Sequence, residues 1–335
     1  MSFRDLQIRD WEQFSETQAR AYINELAAAL PQAVRVAGLS NCTYAGRTQR
    51  IAHFVYDKAL FALIPGCQVQ LGHDVSRFQP SIAQLESYQA SANEYAIDAD
   101  IYTFVDQMTC SPRMVTLTPF LLETQPREIG LEAISPDDPT IRQIIEQYAS
   151  SVVELYKQYR VRCNPDGTIE AWRIVSKSHE DIVRDLAADG LRLPNIDEWE
   201  YACGSGSPTL FRWGDACPCD RYPTDNTADE VWRKREWVRS GGNIPFTQDS
   251  PDWDLHLRPN LFGLSIAQNP YHWEVVAEPS VMCGGDGGIN ICGGAGFFLG
   301  WLPLSTAYWN DSIHEWLDEE PDLSNSFMRR VIPIP

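Results

Sequence analysis

The stretch Leu191-Arg-Leu-Pro-Asn-Ile-Asp-Glu-Trp-Glu-Tyr-Ala-Cys203 constrains the chain more than any other. Pro194 has no amide hydrogen and a fixed φ, so it ends a short extended segment. Asn195 offers a side-chain oxygen to cap a helix whose first turn carries Asp197 and Glu198, acidic residues suited to the positive end of a helix dipole. Ile196, Trp199 and Cys203 fall three and four apart, and that spacing predicts one buried face. The remaining composition points the same way. With 11 Trp, 13 Tyr and 13 Phe for broad cores, and 21 Gly and 22 Pro punctuating loops, a loop-rich α+β fold is expected rather than a helical bundle.

Charge sets the partners. The 335 residues carry 27 Lys+Arg against 46 Asp+Glu, a net −19, which repels nucleic-acid phosphate and anionic lipid. Neither nucleic acid nor membrane is an expected partner. No apolar run approaches about 18 residues, and the N-terminus lacks the apolar core of a signal peptide. A cytoplasmic protein with reduced thiols is the expectation for its 9 cysteines. Cys217-Pro-Cys219 is the one close pair, and no second pair or nearby His at ligand spacing follows, so no metal is expected there.

Along the chain, residues 8 to 31 have helical spacing up to Pro31, a helical lead-in that packs on the main body. Ala59 to Ile64, Pro65-Gly66 and Val69 to Gly72 read as strands joined by a turn. A polar insert is expected from 79 to 110, and a half-buried strand from Met114. Helices are expected over 141 to 158 and from Ser178, its N-cap, to Ala188. The expected organisation is a helical extension over residues 1–45 and one domain over 46–335.

Arg192, Leu193, Pro194, Glu198, Trp199, Glu200, Tyr201 and Ala202, then Trp213-Gly214-Asp215, resemble the signature of the formylglycine-generating enzymes, or sulfatase-modifying factors. Ile64-Pro65-Gly66 with Leu71-Gly72, Val115 to Phe120, Asn226, Asn260-Leu-Phe-Gly-Leu264, Trp273-Glu274, Cys292-Gly293-Gly294 and Ser326-Phe-Met-Arg329 resemble further family segments in order. The resemblance spans roughly residues 50 to 335 and implies a loop-rich variant of the C-type lectin fold with a large aromatic core. It also implies either oxidation of a substrate cysteine with copper and oxygen, or, as in one branch, display of side chains for binding without chemistry.

The oxidase chemistry needs two close thiolates to hold Cu(I). Anchored on Cys292-Gly-Gly, the pair would fall in Phe297 to Pro303, which has no cysteine, so copper is not expected. Anchored on Cys283-Gly-Gly-Asp, Cys292 lies near the lost pair but stands alone. A sole thiol can act as a nucleophile if a neighbour such as His272 lowers its pKa, and Cys283, Cys292 and His272 are the catalytic candidates. A buried cysteine among glycines is the competing reading. Glu274 and Asn226 are candidate calcium ligands, with ordinary hydrogen bonding the alternative.

The glycine-rich run 283–296 lacks the Gly-Lys-Ser/Thr ending of a phosphate loop. Its glycines are expected to serve positive φ and close strand contact beneath aromatic residues. Tyr271, His272, Trp273, Phe297, Phe298, Trp301, Tyr308 and Trp309 form that group, read as core or as a ligand-binding face. The expectation drawn from all this is a divergent family member that lacks the copper site and binds an unidentified protein or small molecule through loops 265–310. The alternative is a metal-dependent oxidative enzyme acting on a thiol through Cys283 or Cys292.

Overall fold

The computed structural model describes residues 2–31, 33–147, 152–155, 158–164, 166–225, 253–310, 322–324 and 326–335. Helices α1 (Ile8–Gln13) and α2 (Glu16–Ala29) open the chain, separated where Ser15 caps α2 with a reciprocal box to Gln18. A long hairpin follows, β1 (Arg35–Tyr44) and β2 (Arg47–Tyr56), then β3 (Ala59–Ile64) and β4 (Cys67–Leu71). The residue 45 boundary therefore falls in the turn of a hairpin whose first strand belongs to the expected extension and whose second to the expected domain.

β3 and β4 do not pair with each other. β3 lies between β2 and β6 (Phe120–Glu123), whereas β4 pairs with β5 (Arg113–Leu117) in a separate sheet. Pro65-Gly66 thus carries the chain between two sheets, with the Gly66 N–H and C=O bonded to Leu6 and Ile8 of the lead-in. The alternation read from Met114 is present in β5, and β6 beyond it is buried throughout.

The stretch expected as a polar insert contains two helices, α3 (Ile82–Tyr95) and α4 (Ile101–Gln107). α3 hides its periodicity because its inward face includes Gln84, Ser87 and Ser91, polar side chains that find distant partners. After β7 (Arg127–Glu128) and β8 (Leu131–Ala133), the helix expected over 141–158 stops early, as α5 (Pro139–Gln147). β9 (Val152–Leu155) then pairs antiparallel with β10 (Tyr159–Cys163), and β11 (Ile169–Ile174) joins β10 to β8. The sequence spacing did not distinguish a long helix from a short one followed by a strand.

α6 (His179–Ala188) is capped by Ser178, and α7 (Ile196–Gly204) by Asn195, each with a reciprocal capping box. Trp199 and Cys203 are buried, and the half-buried Ile196 packs against the same core. The remaining strands are short: β12 (Glu274–Val275), β13 (Met282–Cys283), β14 (Phe327–Met328) and β15 (Val331–Pro333). β13-β12-β14-β7 form one sheet, and β15 completes the five-stranded order β1-β2-β3-β6-β15. The result is a mixed α/β protein with several antiparallel sheets. Among the described residues, no helix is long and apolar enough to cross a membrane.

Candidate functional site

The site is assembled where α7, β12, β13 and the chain's last segment meet. Glu274 is buried, and Arg329 grips both its oxygens, Nε to Oε2 at 2.7 Å and Nη2 to Oε1 at 2.9 Å. Trp199 Nε1 adds a bond to Oε2 at 3.0 Å. The expected calcium ligand is therefore the acceptor that fixes the helix of the opening stretch to the C-terminal segment. Such a charge-assisted fork holds a buried arginine that would otherwise be costly. Asn226, the other calcium candidate, lies outside the described residues.

Cys283 faces Glu274 across the β12–β13 ladder. Burial first, and then the Glu274 carboxylate, push its thiol well above the ordinary value. A thiol so placed stays protonated at neutral pH, which deprives it of the thiolate that nucleophilic or copper chemistry needs. Gly284 follows at φ +86°, and a Cβ there would stand 3.0 Å from the Trp199 ring. A Cβ on Gly285 would stand 2.5 Å from the Pro270 carbonyl oxygen, so the run approaches the preceding loop as its glycines predicted.

Asp286 pins the next turn. Its carboxylate is fully buried and accepts from the Gly288 amide at 2.8 Å and the Asn290 amide at 3.0 Å. Burial raises its pKa, opposed by these donors. The short helix Ile289–Cys292 follows, and the Tyr271 ring lies over Gly288, where a Cβ would clash with it. Tyr271 Oη and Cys292 Sγ are 3.2 Å apart. The Tyr271 phenol is pushed up to about 12, first by that hydrogen bond and then by burial. Tyr95, at the end of α3, donates to the Gly293 carbonyl at 2.6 Å.

The expected aromatic group divides. Tyr271 is 40% exposed, and beside it stand Ile289 at 57% and Tyr95 at 45%, with the Cys292 thiol also exposed. His272 turns its ring to Phe327, 4.5 Å between centroids, and burial followed by the charge of Arg160 lowers its pKa. The Cys292 thiol thus meets the Tyr271 phenol, while His272 packs on Phe327. Trp273 is half-buried, with Nε1 donating to Ser326 Oγ at 3.0 Å. Tyr308 and Trp309 are half-buried too, anchored through Thr109 and Met108 beside α4.

Phe297, Phe298 and Trp301 are wholly interior, a correction to any binding face that includes them. Their short helix packs against α3, with Phe298 stacked on Phe78 and Trp301 set edge-on to His256. Their carbon surface is already spent on the core, where aromatic rings contribute most. Tyr95 and Ile289 went unseen in the sequence. Ile289 alone had a signal, an isolated apolar residue in a glycine run.

Among the described residues, no group of three or more His, Cys, Asp and Glu side chains is placed to hold a metal ion. No protein-family model matches the chain, and no curated protein matches it. The class that fold and site define is a mixed α/β protein carrying a glycine-rich loop locked from below by a buried carboxylate.

Proposed function

We propose that this chain is a divergent scaffold of the formylglycine-generating-enzyme type that has lost the copper-cysteine chemistry and acts as a binding module for a protein or small ligand. The observation that carries the reading is the exposed trio Tyr95, Tyr271 and Ile289 around a loop whose backbone Asp286 fixes. Apolar side chains on a preorganised backbone bind with little ordering cost. Tyrosines add amphipathic area, the composition favoured in contact surfaces. Within this reading the ligand is met by Tyr271 with its neighbours Ile289 and Tyr95, while Trp273 braces the loop from behind.

A second reading keeps one supporting observation. The exposed Cys292 thiol shares a hydrogen bond with Tyr271, and an exposed thiol is open to oxidative chemistry. Titration with Cu(I) under a competing chelator separates the two, comparing the wild type with Cys283→Ala and Cys292→Ala. Indifference to both substitutions is the expected result, and tight binding that either one abolishes overturns the binding-module reading. Ile289→Ser adds a structural control. Its side chain is available to a ligand, so the melting temperature stays within about 2 °C of wild type, as for surface changes worth under ~0.5 kcal/mol.

A further inference from the structure

The exposed face around Tyr271 is built without positive charge. Residues 78–112 and 259–310, the stretches that supply Tyr95, Tyr271, Ile289 and Cys292, contain no lysine and no arginine. The first stretch holds Glu86, Glu94, Asp98, Asp100 and Asp106, all exposed. In the helices this runs against an ordinary preference. A helix C-terminus carries partial negative charge and favours lysine or arginine, yet neither α3 nor α4 has a basic residue in its last turn, and Glu94 and Asp106 stand there instead. Asp98 follows just beyond α3, and neither it nor Glu94 forms an ion pair among the described residues.

These acids act on the aromatic side chains of the same face. Tyr222 is buried against Phe297, with ring centroids 5.0 Å apart. Burial pushes its phenol up to about 12, and the Asp225 and Glu94 carboxylates push the same way. After the Cys292 hydrogen bond and burial, Asp286 and Asp225 likewise raise the Tyr271 phenol. The Tyr95 and Tyr271 hydroxyls are already engaged, one on the Gly293 carbonyl and the other with the Cys292 thiol. Their rings therefore reach adjacent points of the loop, and what they offer a partner is ring surface. The face of a phenol ring attracts cations.

We infer that the occupant of this face is a protein segment rich in arginine or lysine, its cationic groups set over the Tyr95 and Tyr271 rings and near the Glu94 and Asp98 carboxylates, with Ile289 against their aliphatic stems. The inference rests on the binding-module reading and names the chemistry of the partner. Side chains with an apolar stem and a charged head match a surface that is both aromatic and acidic. Acidic partners, nucleic acid and anionic lipid are repelled, and a second copy of a chain of net −19 brings more like charge. Acids placed at the ends of α3 and α4 against the local preference of the helices fit a use in binding.

The test is calorimetric titration of the full chain with end-blocked octapeptides that alternate glycine with arginine, with glutamate or with leucine. Saturable binding of the arginine peptide alone is expected, weakening as salt is added. Glu94→Arg and Tyr271→Ala are each expected to weaken it about fivefold or more, the loss of a cation–π contact or of an ion pair. Glu94→Arg keeps or raises the melting temperature, because arginine suits that helix end, so lost binding is not lost fold. Glu25→Arg, the same change of net charge on an exposed position of α2, is expected to leave the affinity within about twofold. Equal losses in Glu25→Arg and Glu94→Arg reduce the binding to general attraction by an acidic chain and overturn the inference, as does the absence of saturable heat with the arginine peptide. Binding of the leucine or glutamate peptide that Tyr271→Ala abolishes also overturns the cationic partner while leaving the binding-module reading in place, and that reading falls separately, on the Cu(I) titration. Sedimentation of the same samples covers a second copy as occupant: salt-sensitive self-association that Glu94→Arg abolishes overturns a foreign partner.

Discussion

At the scale of single residues, the interior is set up for neutral imidazole and charged guanidinium. His256 is 2% exposed, packed edge-on against Trp301 with centroids 4.8 Å apart, and its Nε2 lies 2.9 Å from the Pro223 carbonyl oxygen. That oxygen only accepts, so Nε2 carries the proton of a neutral ring. Burial, with help from the nearby arginines, lowers the pKa from 6.5 to about 4. In the unfolded chain the ring takes up a proton near pH 6.5, and in the folded protein only near pH 4. Acid therefore favours unfolding between these values. The contribution is fully present above about pH 6.5 and is lost as pH falls to about 4, on the order of 3 kcal/mol for a shift of this size. Urea unfolding at pH 7.5 and pH 4.5 checks it. His256→Gln lowers stability at neutral pH yet flattens the dependence on pH. An unaltered slope in the variant means that other groups carry the acid sensitivity.

Elements in this protein are fixed by polar side chains as much as by apolar ones, and Asn260 is the clearest case. It is fully buried, and its Nδ2 donates to the carbonyls of Ala202 and Cys203 at the end of α7. Its Oδ1 accepts from the amides of Phe262 and Leu264. One side chain thus closes the helix's C-terminus and shapes the following loop. Asn260→Ala strands several buried groups at about 1–3 kcal/mol apiece, so a loss on the order of 3 kcal/mol or more is expected. Asn195→Ala, which removes one cap at the other end of α7, is expected to cost about 1 kcal/mol. Equal losses in denaturant titrations remove Asn260 from this organising role.

The contrast also explains what could be read beforehand. The Ser178 and Asn195 caps were legible because their partners lie three residues away, and β5 because its alternation is local. α3 was not, because Gln84 donates to the Asp215 carbonyl, Ser91 to the Ala295 carbonyl, and Ser87 accepts from the Phe298 amide. Those partners lie more than a hundred positions away, and no periodicity records them. Of the site, the glycine run and Tyr271 were visible. The interior position of Phe297, Phe298 and Trp301 was not, since an aromatic cluster reads alike as core and as surface.

At the scale of the whole molecule, the lead-in shares a core with the central sheet. Leu6, Trp11, Ala19, Ile23, Leu26 and Leu30 are buried in one cluster with Ala52, Phe54, Phe61 and Leu63 of the central strands and Ile332 and Ile334 at the other end of the chain. Hydrogen bonds reinforce the join: Trp11 Nε1 donates to the Arg50 carbonyl at 2.9 Å, Arg50 Nη1 returns to the Phe14 carbonyl at 2.6 Å, and Arg4 Nε reaches the Ile334 carbonyl at 3.3 Å. The five-stranded sheet thus has one face covered by the helical lead-in. Trp11→Ala is expected to cost about 3–5 kcal/mol, as for a large ring removed from a packed interior, while unfolding stays a single transition followed alike by fluorescence and circular dichroism. Removing residues 1–34 is a harsher test. It bares Phe54, Phe61 and Leu63, and an uncovered apolar sheet face binds hydrophobic dye and aggregates. A shortened chain that melts cooperatively at the wild-type temperature without taking up dye makes the lead-in a separable extension, and the argument for a shared core fails with it.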